Sequence, residues 1–88
     1  MNYVYYLTNV DSSFHYVGVT EDLGRRIAQH NNGEVQSTCP YIPLKIVYYE
    51  AYLSKNDACS REYKLKHHGS VIGHLKKRLK DSLKLATI

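Results

Sequence analysis

Apolar and polar residues alternate with period two from residue 3 to residue 8. Tyr3, Tyr5 and Leu7 fall on one face and Val4, Tyr6 and Thr8 on the other, which predicts a β-strand. A polar turn follows at residues 9–13, and residues 14–19 read as the return strand of a hairpin. With the turn centred on Val10 and Asp11, positions whose numbers sum to 21 face each other, so Tyr5 stands opposite Tyr16. Their Cβ atoms are then expected ~5.5 Å apart. Gly18 is expected to end the strand where the chain turns.

The period changes after that. Thr20 has the character of an N-cap, Glu21 and Asp22 oppose the helix dipole, and Asn31-Asn32-Gly33 is a stop signal. Between them Leu23 and Ile27 make a buried stripe. Arg26 and His30, also one turn apart, make a second stripe at the boundary of core and solvent, where a guanidinium and an imidazole can meet one phosphate. Arg25 is expected to point elsewhere. Residues 34–43 have no usable periodicity, and Ser37, Thr38, Pro40 and Pro43 mark a loop.

Residues 44–53 are apolar on both faces apart from Lys45 and Glu50, which predicts a strand in the middle of a three-stranded sheet or covered by helices. Ser54 caps the next helix, with Asp57 at its third position. Its inward residues are expected to be Ala58, Leu65, Cys59 and Tyr63. Glu62 interrupts that stripe, and an inward carboxylate needs a cation beside it: Arg61 or Lys66 in a salt bridge, or a bound metal. A last helix over residues 70–85 lines Val71, Leu75, Leu79 and Leu83 inward and turns Lys76, Lys77, Lys80 and Lys84 outward.

Eighty-eight residues make one domain, 1–88, with a single modest core. At 43% hydrophobic and 23% charged, with no apolar run of the roughly 18–20 residues a membrane span needs, the chain reads as soluble. Its N-terminus lacks the basic start and cleavage site of a signal peptide, so a cytoplasmic location is expected. Cys39 and Cys59 lie in no CxxC pair and are expected to be reduced. The net charge of +4 is unevenly placed: residues 61–84 carry eight Lys and Arg residues against Glu62 and Asp81. This points to one polyanion-facing surface, with Lys66, Lys76, Lys77 and Lys80 as its nucleic-acid contacts. Gly-rich phosphate loops, zinc-ligand spacings and internal repeats are absent from the sequence.

Tyr3-Val4-Tyr5, Tyr16-Val17-Gly18, the run from Arg25 to Asn31, and Ala58-Cys59-Ser60-Arg61-Glu62 ending in Leu65-Lys66 occur in an order that resembles the GIY-YIG nucleases. The resemblance extends from Tyr3 to about His74 and is greatest to the small stand-alone bacterial members. It implies an α/β (α+β) fold: a three-stranded antiparallel sheet flanked by three helices, with the catalytic residues on one face of the sheet. It also implies Tyr5 as general base, Tyr16 as its hydrogen-bonding partner, Arg26 as transition-state clamp, His30 as assisting donor and Glu62 as the single protein ligand of Mg²⁺ or Mn²⁺. The sequence departs from the family at Tyr3, where the first signature opens on glycine, and at His74, where an asparagine is usual. Val19 stands where some members carry a lysine, so activation of Tyr5 from ~10 must come from the metal, Arg26 or a neighbour.

The expected function is metal-dependent hydrolysis of DNA phosphodiester bonds, in repair or recombination. The alternatives are a non-catalytic nucleic-acid-binding module, or a partner-docking module on the same scaffold, with a protein partner supplying substrate targeting.

Overall fold

Strand β1 (Asn2–Asn9) is the axis of the molecule, a computed structural model that describes residues 1–86. Every residue of β1 from Val4 to Asn9 is buried. Beside it lie β2 (His15–Thr20) and β3 (Leu44–Tyr52), both antiparallel to β1, in the order β2-β1-β3. Helix α1 (Leu23–Asn31) covers one face, packing Leu23 and Ile27 on Tyr5, Leu7 and Leu44. Helices α2 (Lys55–His67), α3 (Gly69–Arg78) and α4 (Lys80–Ala86) cover the other, where Ala58, Leu65, Leu75 and Leu79 enclose Val4, Tyr6 and Val17. The expected α+β sheet with helices on both faces is therefore present.

Three local expectations change. β3 is an edge strand, not the central one: Lys45, Ile46, Tyr49 and Ala51 are exposed, and α2 and α4 cover only one of its faces. Its apolar run is rich in tyrosine, a residue that lays its ring on a sheet while its hydroxyl stays solvated or bonded. Tyr48 donates to Glu50 Oε2 at 2.7 Å and Tyr52 donates to Oε1. In α2, Cys59 is exposed and Tyr63 is 58% exposed, so only Ala58 and Leu65 turn inward. The last helix divides at Leu79, whose N–H reaches both Leu75 and Lys76 carbonyls, and α4 turns to pack against β3. Four helices, not three, flank the sheet among the described residues.

Caps and turns set the remaining geometry. Asp22, not Thr20, caps α1 by accepting from Arg25 N–H at 3.1 Å, while the Thr20 hydroxyl accepts from Asp22 N–H. Asn32 ends the helix and Gly33 takes φ +76°, as the stop signal predicts. Asn31 clamps both backbone groups of Leu44, accepting at 2.7 Å and donating at 3.0 Å, which ties the end of α1 to the start of β3. Ser54 caps α2 through Asp57 N–H. No helix of the described residues is long and apolar enough to cross a membrane, and Cys39 and Cys59 are unpaired.

The hairpin register differs from the expected one. Paired residue numbers sum to 23, so Tyr5 faces Gly18 and Leu7 faces Tyr16. The loop is longer because Asn9 closes it with its side chain: Phe14 N–H donates to Asn9 Oδ1 at 3.0 Å, and Asn9 Nδ2 donates to Ser13 Oγ at 3.0 Å. Gly18 thus lies within β2 and does not end it. Its missing side chain makes room for Tyr5, since a Cβ there would stand 2.6 Å from Tyr5 Cζ and 3.0 Å from Tyr16 Cε1. Gly18→Ala is accordingly expected to lower the unfolding free energy by about 1–3 kcal/mol through overpacking, measured by urea denaturation. An unchanged midpoint would mean that the Tyr5 ring does not lie across residue 18.

Candidate active site

The sequence places Arg26 and His30 one turn apart, and the fold sets that stripe over Tyr5 and Tyr16. His30 is not at the core boundary, however. It is fully buried, and both ring nitrogens are bonded: Nε2 to Tyr5 Oη at 2.9 Å and Nδ1 to Thr38 Oγ1 at 2.8 Å. Thr38, also fully buried, spends its only proton on the Val35 carbonyl at 3.3 Å. Its oxygen must therefore accept from His30 Nδ1–H, which leaves Nε2 as a lone pair. Tyr5 O–H donates to that lone pair. Toward Tyr5, His30 is thus an acceptor.

The Tyr5 oxygen also accepts from Arg26 Nε at 3.4 Å, and Arg26 is steadied by an Nη1 bond to Gln29 Oε1 at 3.1 Å. Burial pushes the Tyr5 phenol above its ordinary 10.0; the nearby Tyr16 and Glu62 push the same way, and Arg26 opposes them. Burial, then the charge of Arg26, holds the His30 imidazole below its ordinary 6.5. At neutral pH the pair is thus a phenol and a neutral imidazole, the states that the hydrogen-bond directions require.

Tyr16 lies diagonal to Tyr5 on the same face of the sheet, with ring centroids 6.2 Å apart, and its ring edge meets His30 at 5.0 Å. Above Tyr16 stands Lys66 Nζ, 5.4 Å from the ring centroid. Glu62 arrives from the other side. It belongs to α2, the layer opposite α1, so the five candidate residues do not all lie on one face of the sheet: four do, and Glu62 approaches from the second layer along the β2 side, where Lys66 joins it to Tyr16.

Of the two cations offered to Glu62 by the sequence, Lys66 is its partner, at 3.5 Å. Arg61 turns instead to Glu50, gripping both carboxylate oxygens at 3.0 and 3.1 Å. Burial raises the Glu50 carboxyl pKa, but Arg61, Tyr52 and Tyr48 more than offset this and hold it below its ordinary value. Glu50 is therefore saturated with donors, while half-buried Glu62 keeps one loose ion pair among the described residues. That open carboxylate fits a hard divalent cation whose remaining ligands are water and phosphate oxygens. No group of three or more His, Cys, Asp or Glu residues able to hold a metal occurs among the described residues, so Glu62 would act alone.

Two hollows adjoin the cluster. One, about 390 Å³, is lined by Thr20, Asp22, Arg25, Arg26 and Gln29, so Arg25 shares a wall with Arg26 and does not point away. The other, about 250 Å³, includes Tyr16, Lys66 and Lys76. Lys77 and Lys80 are exposed and line neither. Sequence reasoning missed Thr38 and Gln29 as positioning residues. Thr38 lies in the aperiodic loop and carried no signal, whereas Gln29 is three residues after Arg26 and was legible as a helix-face neighbour.

A family model described as the GIY-YIG catalytic domain matches residues 1–78. A UPF0213 protein of Clostridium perfringens is 46% identical over 67 residues, covering 75% of this chain and 71% of that protein. A UPF0213 protein of Lacticaseibacillus paracasei is 39% identical over 66 residues, covering 74% and 73% respectively. Among solved structures, the solution NMR structure of a UPF0213 protein from Bacillus halodurans is 38% identical, with a TM-score of 0.50, over 96% of this chain and 86% of its own.

Two histidines, His30 fully buried and His15 half-buried, make stability depend on pH. His30 and His15 both have pKa values lowered on folding, His30 by burial and Arg26, His15 by burial and Lys76. The unfolded chain then binds more protons, so this stability is present above the unfolded pKa of about 6.5 and is lost as pH falls toward the folded values. The urea midpoint is expected to drop between pH 7.5 and pH 5.5, and to drop less in His30→Gln. An equal drop in both proteins would assign the effect to His15 alone.

Proposed function

This chain belongs to the GIY-YIG catalytic-domain family, and on that footing we propose that it is a metal-dependent endonuclease that hydrolyses DNA phosphodiester bonds, acting in repair or recombination. The observation that carries the reading is the bonding of one oxygen. Tyr5 Oη accepts from Arg26 and donates to a His30 nitrogen that Thr38 keeps unprotonated. A phenol whose proton has somewhere to go is a general base in waiting.

In this reading, water beside the scissile phosphate loses a proton to Tyr5 Oη as the Tyr5 proton moves to His30 Nε2. The water oxygen attacks phosphorus, the P–O bond to the leaving oxygen breaks with its electron pair on that oxygen, and the oxygen takes a proton from solvent. Moving both protons together avoids a free tyrosinate, which burial disfavours. His30 then carries the positive charge while its Nδ1–H stays on Thr38. Arg26, already beside Tyr5, presents its guanidinium to the charge that accumulates on the phosphate oxygens. Arg25, on the wall of the same hollow, is placed for a neighbouring phosphate. A divalent cation held by Glu62, Mg²⁺ or Mn²⁺, would supply Lewis-acid charge to the phosphate.

Cleavage of a labelled panel of single-stranded, duplex and branched DNA with Mg²⁺ or Mn²⁺ tests the proposal. Tyr5→Phe keeps the ring but removes the acceptor, and Glu62→Gln keeps the shape but removes the charge. Each is expected to lower the cleavage rate by about 10²-fold or more while DNA binding persists. Wild-type protein that binds every substrate and cuts none would instead favour the non-catalytic binding module.

A further inference from the structure

The second hollow has a composition that the hydrolytic chemistry does not use. Val17, Leu65 and Ile72 give it an apolar floor, Tyr16 and His15 stand in its walls, and Lys66 and Lys76 bring two positive charges to it. No carboxylate lines it, and Lys76 makes no ion pair among the described residues. The charge of Lys76 is felt inside, where it adds to burial in keeping His15 unprotonated. Lys66 joins this groove to the reacting centre, because the same ammonium lies over Tyr16 and beside Glu62.

Apolar floor, aromatic wall and two lysines, Lys66 shared with Glu62 and Lys76 without an ion pair among the described residues, together match the three parts of a nucleotide. Resting on the nuclease reading, we propose that this groove holds one unpaired nucleotide next to the scissile phosphate, its base and sugar on the floor and its phosphate between Lys66 and Lys76. The substrate class is then DNA with a single-stranded segment, such as a tail, flap or gap. A base inside a duplex is paired and stacked on both sides, so it has no free face to lay in a concave site; an unpaired base does, and gains by stacking on aromatic and apolar side chains. At about 250 Å³ the groove is too small for a base pair with its backbones and suits a single nucleotide.

The test is binding without divalent cation, so that cleavage plays no part. Fluorescence anisotropy would compare a labelled 12-nucleotide single strand with a blunt hairpin duplex of the same composition, for wild type, Lys76→Glu and Lys77→Glu. Lys77 is exposed on the same helix but does not line the groove, so both variants change the net charge equally. The single strand is expected to bind about 10-fold tighter than the duplex, with Lys76→Glu losing about 10-fold on the single strand and Lys77→Glu about 2-fold. Equal losses from the two variants, or equal affinity for strand and duplex, would overturn the proposal in favour of a diffuse basic surface. Failure of the nuclease reading appears separately, as absence of cutting by a protein that keeps the strand preference.

Discussion

A buried phenol has to be hydrogen-bonded, and much of this small structure follows from satisfying the one on Tyr5. The residue is 1% exposed in the central strand. A hydroxyl left unpaired there would cost about 1–3 kcal/mol, a large share of what an 88-residue chain has in reserve. His30 meets the need, but an imidazole at the same depth brings a second nitrogen that must itself be satisfied. Thr38 does that, and Thr38 is in turn anchored on the Val35 carbonyl. A chain of four groups thus ties the central strand to α1 and α1 to the loop after it. The loop is consequently more than a connection: it folds into a short helical turn at Cys39–Tyr41, and Tyr41 stacks on Phe14 at 3.9 Å.

The same chain of bonds gives Tyr5 its chemical character. Burial alone would make it a poor base, since the tyrosinate is disfavoured more than the phenol. The surroundings answer with a cation on one side and a proton acceptor on the other, so that charge need never rest on the buried oxygen. Stability and reactivity are here two consequences of one arrangement. The bonds that remove an unsatisfied polar group from the core are also those that prepare a route for a proton.

Charge is sorted with similar economy on the other face of the sheet. Glu50 and Glu62 are both partly buried, and Arg61 and Lys66 are both near. Arg61 reaches across to β3 and grips Glu50 through both oxygens, which the planar guanidinium does well and an ammonium cannot do. Lys66 is left to Glu62 at 3.5 Å. One carboxylate is thereby committed to holding α2 against the sheet. The other stays available to solvent cations, paired with the Lys66 ammonium that also lies over Tyr16.

Much of the architecture was legible in the chain itself. Alternation in residues 3–8, the Asn-Asn-Gly stop and the Ser54 cap depend on neighbours a few residues away, and each is present where local chemistry puts it. Spacing by one helical turn likewise made Arg26 and His30 a pair. What the sequence could not determine were matters settled by distant contacts. The register of the hairpin turned on how Asn9 closes its loop, and a shift of two in the pairing sum moved Gly18, not Tyr16, opposite Tyr5. The order of strands turned on which one the helices could cover on both sides. Whether Arg61 or Lys66 would take Glu62 depended on where β3 brought Glu50, and the partner of His30 came from a loop with no periodicity at all. Local sequence determines which elements form, because their hydrogen bonds and caps are local. Only the assembled sheet decides which side chains meet, because burial and pairing are properties of residues far apart in the chain.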